Sequence, residues 1–528
     1  MTEVAAFPVR IFCAALLLTG VSCTGTKTGH APAKAKRVGA ALDAAHRAWQ
    51  MLPAGMPAAE AQRTQWRATL GGVLTALENH GSPQTWTGTQ SIDGWTVTFK
   101  GDATGLHSIL PSSCRKITTV NPGKSSTEEG VGLPVVMMQG RNTNAADSFF
   151  PPHGRYLPAT LTAEFAGERQ VALTFYHTGN VMKARVRGTE RPLASDLPAA
   201  VTAGMTPKFF RRYTIMGLIR PERFLHETGI YAPEVYDPNK IPVVLVHGLE
   251  SAPHIWVNVM KSIATDPELQ RNYQVWYFLY PTGITIQSAA ATLRKSLQKA
   301  RDFYDPRHRS RAMEQMVIAG HSMGGLLTNM QVIDSHETIY RAFFTVPFDR
   351  LPLSRNNLVT VRDTLHFHHL PFLKRAVFIA TPHRGSKVAD LSIFKWLTRL
   401  VRPARLLTGL VKEISTRARD ALNPRLAAFR DLGTSTAEGL SPAHPLLAAI
   451  NKQPILVPYH NIIAVFKPFG SGKPVEQSSD GIVPYTSAWL PGAKSTAIVK
   501  GFHTCAESPE VAKELTRILH VHLAERKR

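Results

Sequence analysis

The sequence predicts an α/β protein. From about residue 241 it reads as a mostly parallel sheet covered by helices, preceded by a smaller α+β or mostly β region. Three observations carry this. First, "IPVVLVHG" (Ile241–Gly248) is a continuous apolar run ending in glycine, as expected of a strand buried on both faces. Second, "YQVWYFLYPTG", "EQMVIAG", "KRAVFIATP", "HNIIAVF" and "KSTAIVKG" follow it and alternate with helical patterns such as "AAATLRKSLQKARDFY". That alternation argues parallel strands joined by crossover helices. Third, the upstream segments "WTVTFKG", "LPVVMMQG", "YLPATLTAEF", "RQVALTFYHTG" and "VMKARVRG" are strand-like, and only "AGE" separates the third from the fourth. Such a short link is a hairpin-type connection.

The chain has 528 residues, enough for more than one domain and a large core. Residues 1–23 read as a leader and 24–36 as a polar tether. Residues 37–230 form a first folded region that opens with one or two helices, and 231–528 form the second. "RIFCAALLLTGVSC" is too short to span a bilayer as a helix but suits the apolar core of an export signal. "GVSC" before Thr24 resembles a bacterial lipobox, with Gly20 where a Leu-like residue is usual. A lipid on Cys23 and a cell-envelope location are therefore expected. No later run reaches the roughly 18 apolar residues of a membrane-spanning helix.

Of the four cysteines, Cys13 would leave with the leader. If Cys23 is lipidated, Cys114 and Cys505 remain as one pair that an oxidising compartment could join; the sequence does not say that they meet. No spacing resembles a zinc site, and no cofactor or metal is expected. "HFHHL" (His366–Leu370) has no second ligand cluster and reads as a basic loop. Against 38 acidic residues stand 61 Lys and Arg, a formal charge of +23. That field favours polyanionic partners such as an anionic membrane surface, or it serves solubility alone. No nucleic-acid partner is expected.

"MVIAGHSMGGLL" (Met316–Leu327) carries the chemistry. A buried strand ends at Gly320 and a helix begins at Met323 or Gly324, with Ser322 on the turn. G-x-S-x-G alone is a weak signal. The strand-turn-helix context is what a strained nucleophile elbow requires, and Gly320 and Gly324 keep the tight turn free of Cβ atoms. A serine nucleophile needs a base, and the base needs an orienting carboxylate. Asp480 stands before Gly481 in the polar loop after "HNIIAVF"; Glu476 is its rival. His503 lies in the strand-to-helix loop "FHTCAESPEVAKELTRIL", whereas His520 and His522 fall on the closing helix and read as structural. The oxyanion needs two aimed donors. The Met323 amide is one, and the Leu249 amide, after His247-Gly248 at the end of an earlier strand, is the other.

"PVVLVHGL", "GHSMGG", "ATPHRGS", "SDGIVP" and "GFHT", in that order, resemble bacterial α/β-hydrolase lipases and esterases. The closest group is the one related to triacylglycerol lipases and GPI inositol-deacylases. The resemblance covers roughly residues 230 to 525. It implies an α/β-hydrolase fold with nucleophile Ser322, acid Asp480, base His503 and oxyanion amides Leu249 and Met323. His247, Gly248, Gly320, His321, Gly324 and His383 are expected to support the site. The insert at about 386–450 is expected to form a helical lid. In "LSIFKWLTRLVR", Lys395, Arg399 and Arg402 back an apolar face, a pattern suited to a membrane interface or to ordinary packing. The function expected is hydrolysis of acyl esters. The alternatives are an acyltransferase with the same triad, or an envelope binding protein on an inert hydrolase fold. The first 200 residues carry no motif of the family.

Overall fold

The computed structural model describes residues 37–52, 59–101, 110–119, 130–141, 147–179, 181–386, 405–428, 436–466 and 474–526. The expected leader, the tether and Cys23 lie outside them, as do Lys395, Arg399 and Arg402.

Two sheets organise the chain. The first holds β1 (Thr89–Ile92), β2 (Trp95–Gly101), β3 (Cys114–Thr119), β4 (Leu133–Gln139), β5 (Arg155–Phe165) and β6 (Gln170–His177), in the order β1-β2-β6-β5-β4-β3. Its pairings are antiparallel except β2 with β6. In β2, Trp95, Val97 and Phe99 are buried while Thr96, Thr98 and Lys100 face outward to varying degrees, the period of two that one covered face imposes. Helices α1 (Val38–Gln50) and α2 (Glu60–His80) supply that cover, their Leu42, Leu70 and Leu77 meeting Val97, Leu161 and Leu173 in one core. A separate hairpin joins β7 (Lys183–Val186) to β8 (Thr189–Pro192).

The second sheet holds β9 (Gly229–Tyr231), β10 (Ile241–Val246), β11 (Tyr273–Leu279), β12 (Met316–His321), β13 (Leu373–Ile379), β14 (Tyr459–Val465) and β15 (Ser495–Lys500), in the order β15-β14-β13-β12-β10-β11-β9. All pairings are parallel except β9 with β11. Every residue of β10, β11 and β12 is buried, because helices lie on both faces. Alternate residues divide between two cores. Val244 and Val246 join one with α5 (Ile286–Tyr304) and α6 (Met323–Asn329); Val243 and Leu245 join the other with α4 (Val257–Thr265) and α7 (Pro509–Arg526). Before them, α3 (Leu197–Gly204) touches both β5 and α4 and so bridges the two layers.

The division expected at 230/231 falls inside β9, and Met205, Phe210 and Tyr213 are already buried in a core of the second layer. The apolar side chains of the helix Pro207–Ile219 carry that layer upstream of its first strand. Cys114 and Cys505 are free thiols buried in different cores, and burial pushes them up to about 11 and about 12. No helix among the described residues is long and apolar enough to cross a membrane. Within the expected insert, the helix Arg405–Arg417 is fastened to the body: Glu413 accepts hydrogen bonds from the Ser354 amide and hydroxyl, both at 2.8 Å.

Candidate active site

Parallel strands bring their C-terminal ends to one edge of the sheet, where ligands of open α/β sheets bind. The residues singled out in the sequence lie at that edge, after β10, β12, β13, β14 and β15.

Ser322 follows β12 and precedes α6 with φ 55° and ψ −125°, a conformation that an L-residue adopts only at a cost of about 1–3 kcal/mol. Its neighbours explain how it is held. The Ser322 amide donates to Ile379 O of β13 at 2.9 Å. A Cβ on Gly320 would lie 2.3 Å from Gly324 O, and one on Gly324 would lie 2.3 Å from Val246 O. Glycine at both positions therefore lets the turn close against β10. Gly248 approaches from β10: a Cβ there would lie 2.8 Å from Ser322 Cβ.

Asp480, His503 and Ser322 form one hydrogen-bonded chain. His503 Nδ1 is 2.6 Å from Asp480 Oδ2, and His503 Nε2 is 2.7 Å from Ser322 Oγ. A carboxylate can only accept, so Nδ1 carries the hydrogen and Nε2 is left to accept from the serine hydroxyl. Asp480 Oδ1 accepts from the amides of Ile482 (2.8 Å) and Val483 (2.7 Å), which fixes the carboxylate plane. The His503 backbone is also held at both ends. Its amide donates to Asp480 O at 3.1 Å, and its carbonyl accepts from His321 Nε2 at 2.7 Å. Asp480 is almost fully buried, whereas the His503 side chain is 14% exposed. Glu476, the rival acid, sits exposed on the turn Val475–Gln477.

Burial pushes both His247 and His321 down to about 3, so both rings are neutral near pH 7. The His321 ring thus carries its hydrogen on Nε2 and positions His503. His247 contacts Gly248 O through Nδ1 at 3.1 Å and stacks on Tyr280. Met323 opens α6, so its amide has no acceptor within the helix. Among the described residues, neither this amide nor that of Leu249 donates to the backbone.

The motif "ATPHRGS" holds the acid loop through residues the sequence did not single out. Arg384 Nη1 donates to Thr486 O and Trp489 O, both at 2.7 Å, Ser487 Oγ donates to Gly385 O at 2.6 Å, and Ser386 Oγ donates to Ile482 O at 2.5 Å. His383 has a different surrounding: its ring lies edge-on to Phe378, buried, with no hydrogen-bond partner among the described residues. The signal missed was chemical. A guanidinium offers several donors in a fixed fork, and an irregular loop offers unpaired carbonyls.

His366, His369, His520 and His522 lie in structural contacts. His369 donates through its amide to Asp334 Oδ1 at 2.8 Å, and His366 stacks on Tyr340. His520 meets Asp266 and Glu268, and His522 meets the Tyr273 hydroxyl. Among the described residues no group of three or more His, Cys, Asp or Glu could hold a metal ion.

No family model and no curated protein matches the chain. Solved structures of bacterial lipases and esterases are weakly similar to it. The mature lipase BlEst2 of Bacillus licheniformis is 16% identical, covering 55% of this chain and 97% of its own, with a TM-score of 0.32. Lipase 1 of Pelosinus fermentans is 12% identical over 52% of this chain and 98% of its own, also at 0.32. A lipase-esterase related protein of Clostridium acetobutylicum is 12% identical over 55% and 98%, at 0.26. Identities and TM-scores this low say nothing of what the chain does, and what the site can do follows from its own geometry.

Proposed function

We propose that the protein is a serine hydrolase of carboxylic (acyl) esters on an α/β-hydrolase scaffold. The observation that carries this reading is the Asp480–His503–Ser322 chain of 2.6 and 2.7 Å contacts at one edge of a parallel sheet. His503 Nε2 takes the Ser322 proton as Oγ attacks the ester carbonyl, and Asp480 steadies the imidazolium. The Leu249 and Met323 amides stabilise the oxyanion, helped by the positive end of α6. His503 then returns the proton to the leaving alcohol, and water hydrolyses the acyl-enzyme by the same steps in reverse order.

The resemblance of "PVVLVHGL", "GHSMGG" and "GFHT" to bacterial lipases supports an acyl ester or lipid as substrate, with the insert at 386–450 acting as a lid. The short apolar stretch before Cys23 supports export to the envelope. The charge of +23 supports attraction to anionic bilayers, which salt would screen within about 8–10 Å. Adding anionic vesicles should then speed hydrolysis of a soluble ester more than neutral vesicles do, and equal rates would remove that coupling.

The decisive experiment is labelling with a fluorophosphonate probe, followed by peptide mapping and a panel of esters. Labelling at Ser322 with turnover of at least one ester class is expected. Undiminished labelling of a folded Ser322→Ala protein would take the nucleophile role from Ser322. If an added alcohol acceptor captures most of the acyl group in competition with water, the activity is acyl transfer rather than hydrolysis.

A further inference from the structure

Two phenylalanines stand exposed beside this site. Phe502 is 55% and Phe466 43% exposed, yet their rings stack at 3.9 Å between centroids. Single exposed apolar side chains are ordinary. Two stacked ones beside the triad form a surface that water solvates poorly and a ligand can cover.

Their placement is fixed by the hydrogen bonds that hold the site. β14 and β15 pair through Val465 and Lys500, and the Gly501 amide extends the ladder to Val465 O at 3.0 Å. Phe466 directly follows Val465 and Phe502 directly follows Gly501, each just past the end of its strand. The Phe466 amide donates to Ser479 O at 2.8 Å, one residue before Asp480, and Phe502 immediately precedes His503. The stacked pair is therefore anchored to the acid loop on one side and to the base on the other.

We infer that Phe466 and Phe502 form a ledge that binds an apolar alcohol moiety of the ester and sets leaving-group preference. The inference rests on the ester-hydrolase reading above. In the tetrahedral intermediate the oxyanion faces the Leu249 and Met323 amides. The ester oxygen must face His503, which alone delivers its proton. The His503 Nε2–H proton passes to that oxygen, the C–O bond breaks with its electron pair on the alcohol, and the acyl group stays on Ser322. The alcohol thus departs on the His503 side, where the ledge stands. The acyl chain extends from the other substituent position of the same carbon.

The test uses the full chain with Phe502→Ala, Phe466→Ala and the milder Phe502→Leu. Two specificity ratios in kcat/KM are measured: benzyl over methyl butyrate, which varies the alcohol, and methyl octanoate over methyl acetate, which varies the acyl chain. Loss of apolar contact on this scale changes discrimination by about tenfold. The alcohol ratio is expected to fall by that factor in both alanine variants and less in Phe502→Leu, while the acyl ratio stays within about twofold. A fall in the acyl ratio instead, or equal ratios in all proteins, overturns the ledge. So does loss of adsorption to lipid vesicles with both ratios intact, since the pair would then be a surface anchor. Fluorophosphonate labelling separates the two failures. Labelled Ser322 with unchanged ratios sinks only the ledge, whereas no labelling and no ester turnover in the parent protein sinks the hydrolase reading.

Discussion

The two sheets use the same backbone strain for different ends. In the N-terminal layer, non-glycine residues with positive φ sit in tight hairpins, each followed by glycine: Asp93-Gly94 (49° and 79°) between β1 and β2, and Arg187-Gly188 (53° and 74°) between β7 and β8. Positive φ at both central residues matches the right-handed twist of the strands they join. In the parallel layer, Glu250, Ser322 and Ala380 have positive φ after the ends of β10, β12 and β13. No hairpin requires it there, because crossover helices carry the chain onward. The strain at Ser322 points a hydroxyl at His503. Strain that resolves into a turn is a folding device; strain at the open edge of a parallel sheet singles out a candidate for function, unlike that of His308 and His336, which have positive φ away from that edge.

The largest effects should follow from breaking the second use. Ser322→Ala should lower kcat by about 10⁴ to 10⁶, with little change in melting temperature because alanine meets the same φ. Asp480→Asn should cost about 10⁴ in kcat, since an amide can present a donor to His503 Nδ1 and favour the wrong tautomer. The same change at Glu476, exposed on its turn, should leave the rate within about twofold. Steady-state kinetics on one soluble ester checks all three, and a large loss at Glu476 would reassign the acid.

Acid should separate the layers next. Burial pushes His247, His321 and His383 in the parallel layer down to about 3, and His460 likewise, whereas His153, just before β5 and stacked on Phe209, falls to about 4. Each such histidine is neutral when folded but takes a proton near pH 6.5 when unfolded. The unfolded state thus binds more protons between those limits. Stability is complete above about pH 6.5 and falls as pH drops toward 3, by up to about 1.4 kcal/mol per pH unit for each group. Hydrogen exchange at pH 7 and pH 4.5 should show protection lost first from β10, β12 and β13. Earlier loss from β4 and β5 would contradict this.

How much of this was legible follows from what each signal encodes. The five strands from Ile241 to Val465 in the parallel layer announced themselves because burial on both faces leaves long apolar runs, whereas the edge strand β15 is mostly uncovered and was marked by its shorter apolar stretch and flanking turns. Ser322, Asp480 and His503 were legible because each sits at a strand end beside glycine or in a polar loop. β1 was readable in principle: "TQSIDGWTVTF" carries the Asp-Gly hairpin signal, but its mostly polar residues hid it. β3 and β9 are short or outward-facing and lack any period. The helix Pro207–Ile219 stands before the expected division at 230/231, yet its apolar residues are claimed by a core whose strands come later, a long-range pairing that no local pattern encodes. The roles of Arg384 and Ser386 could not be read, since their partners are backbone carbonyls about a hundred residues away.

Glycine replacements should sharpen the comparison with smaller effects. Gly324→Ala would set a Cβ 2.3 Å from Val246 O and 2.4 Å from His247 O. Both contacts are backbone, so β10 and α6 must part, and a loss of about 3 kcal/mol or more is expected. At Gly188 a Cβ meets nothing within 4 Å. Only φ opposes alanine there, and chemical denaturation should show a loss of about 1 kcal/mol.

The smallest effect is the most telling, and it concerns Ser322 itself. Ser322→Gly and Ser322→Ala both delete the hydroxyl and its 2.7 Å contact with His503, so their difference isolates the backbone. Glycine relieves the strain at φ 55° but adds freedom to the unfolded chain, which returns about 0.4–1 kcal/mol of the gain. The glycine variant should therefore be the more stable of the two by about 1 kcal/mol, the same preference expected at Gly188. The hairpin between β7 and β8 meets that preference with glycine, while the end of β12 forgoes it for a hydroxyl. Urea denaturation of the two inactive variants measures the difference. Equal stability would mean that the surrounding chain relaxes around alanine, and Ser322 would then carry no strain that its function must explain.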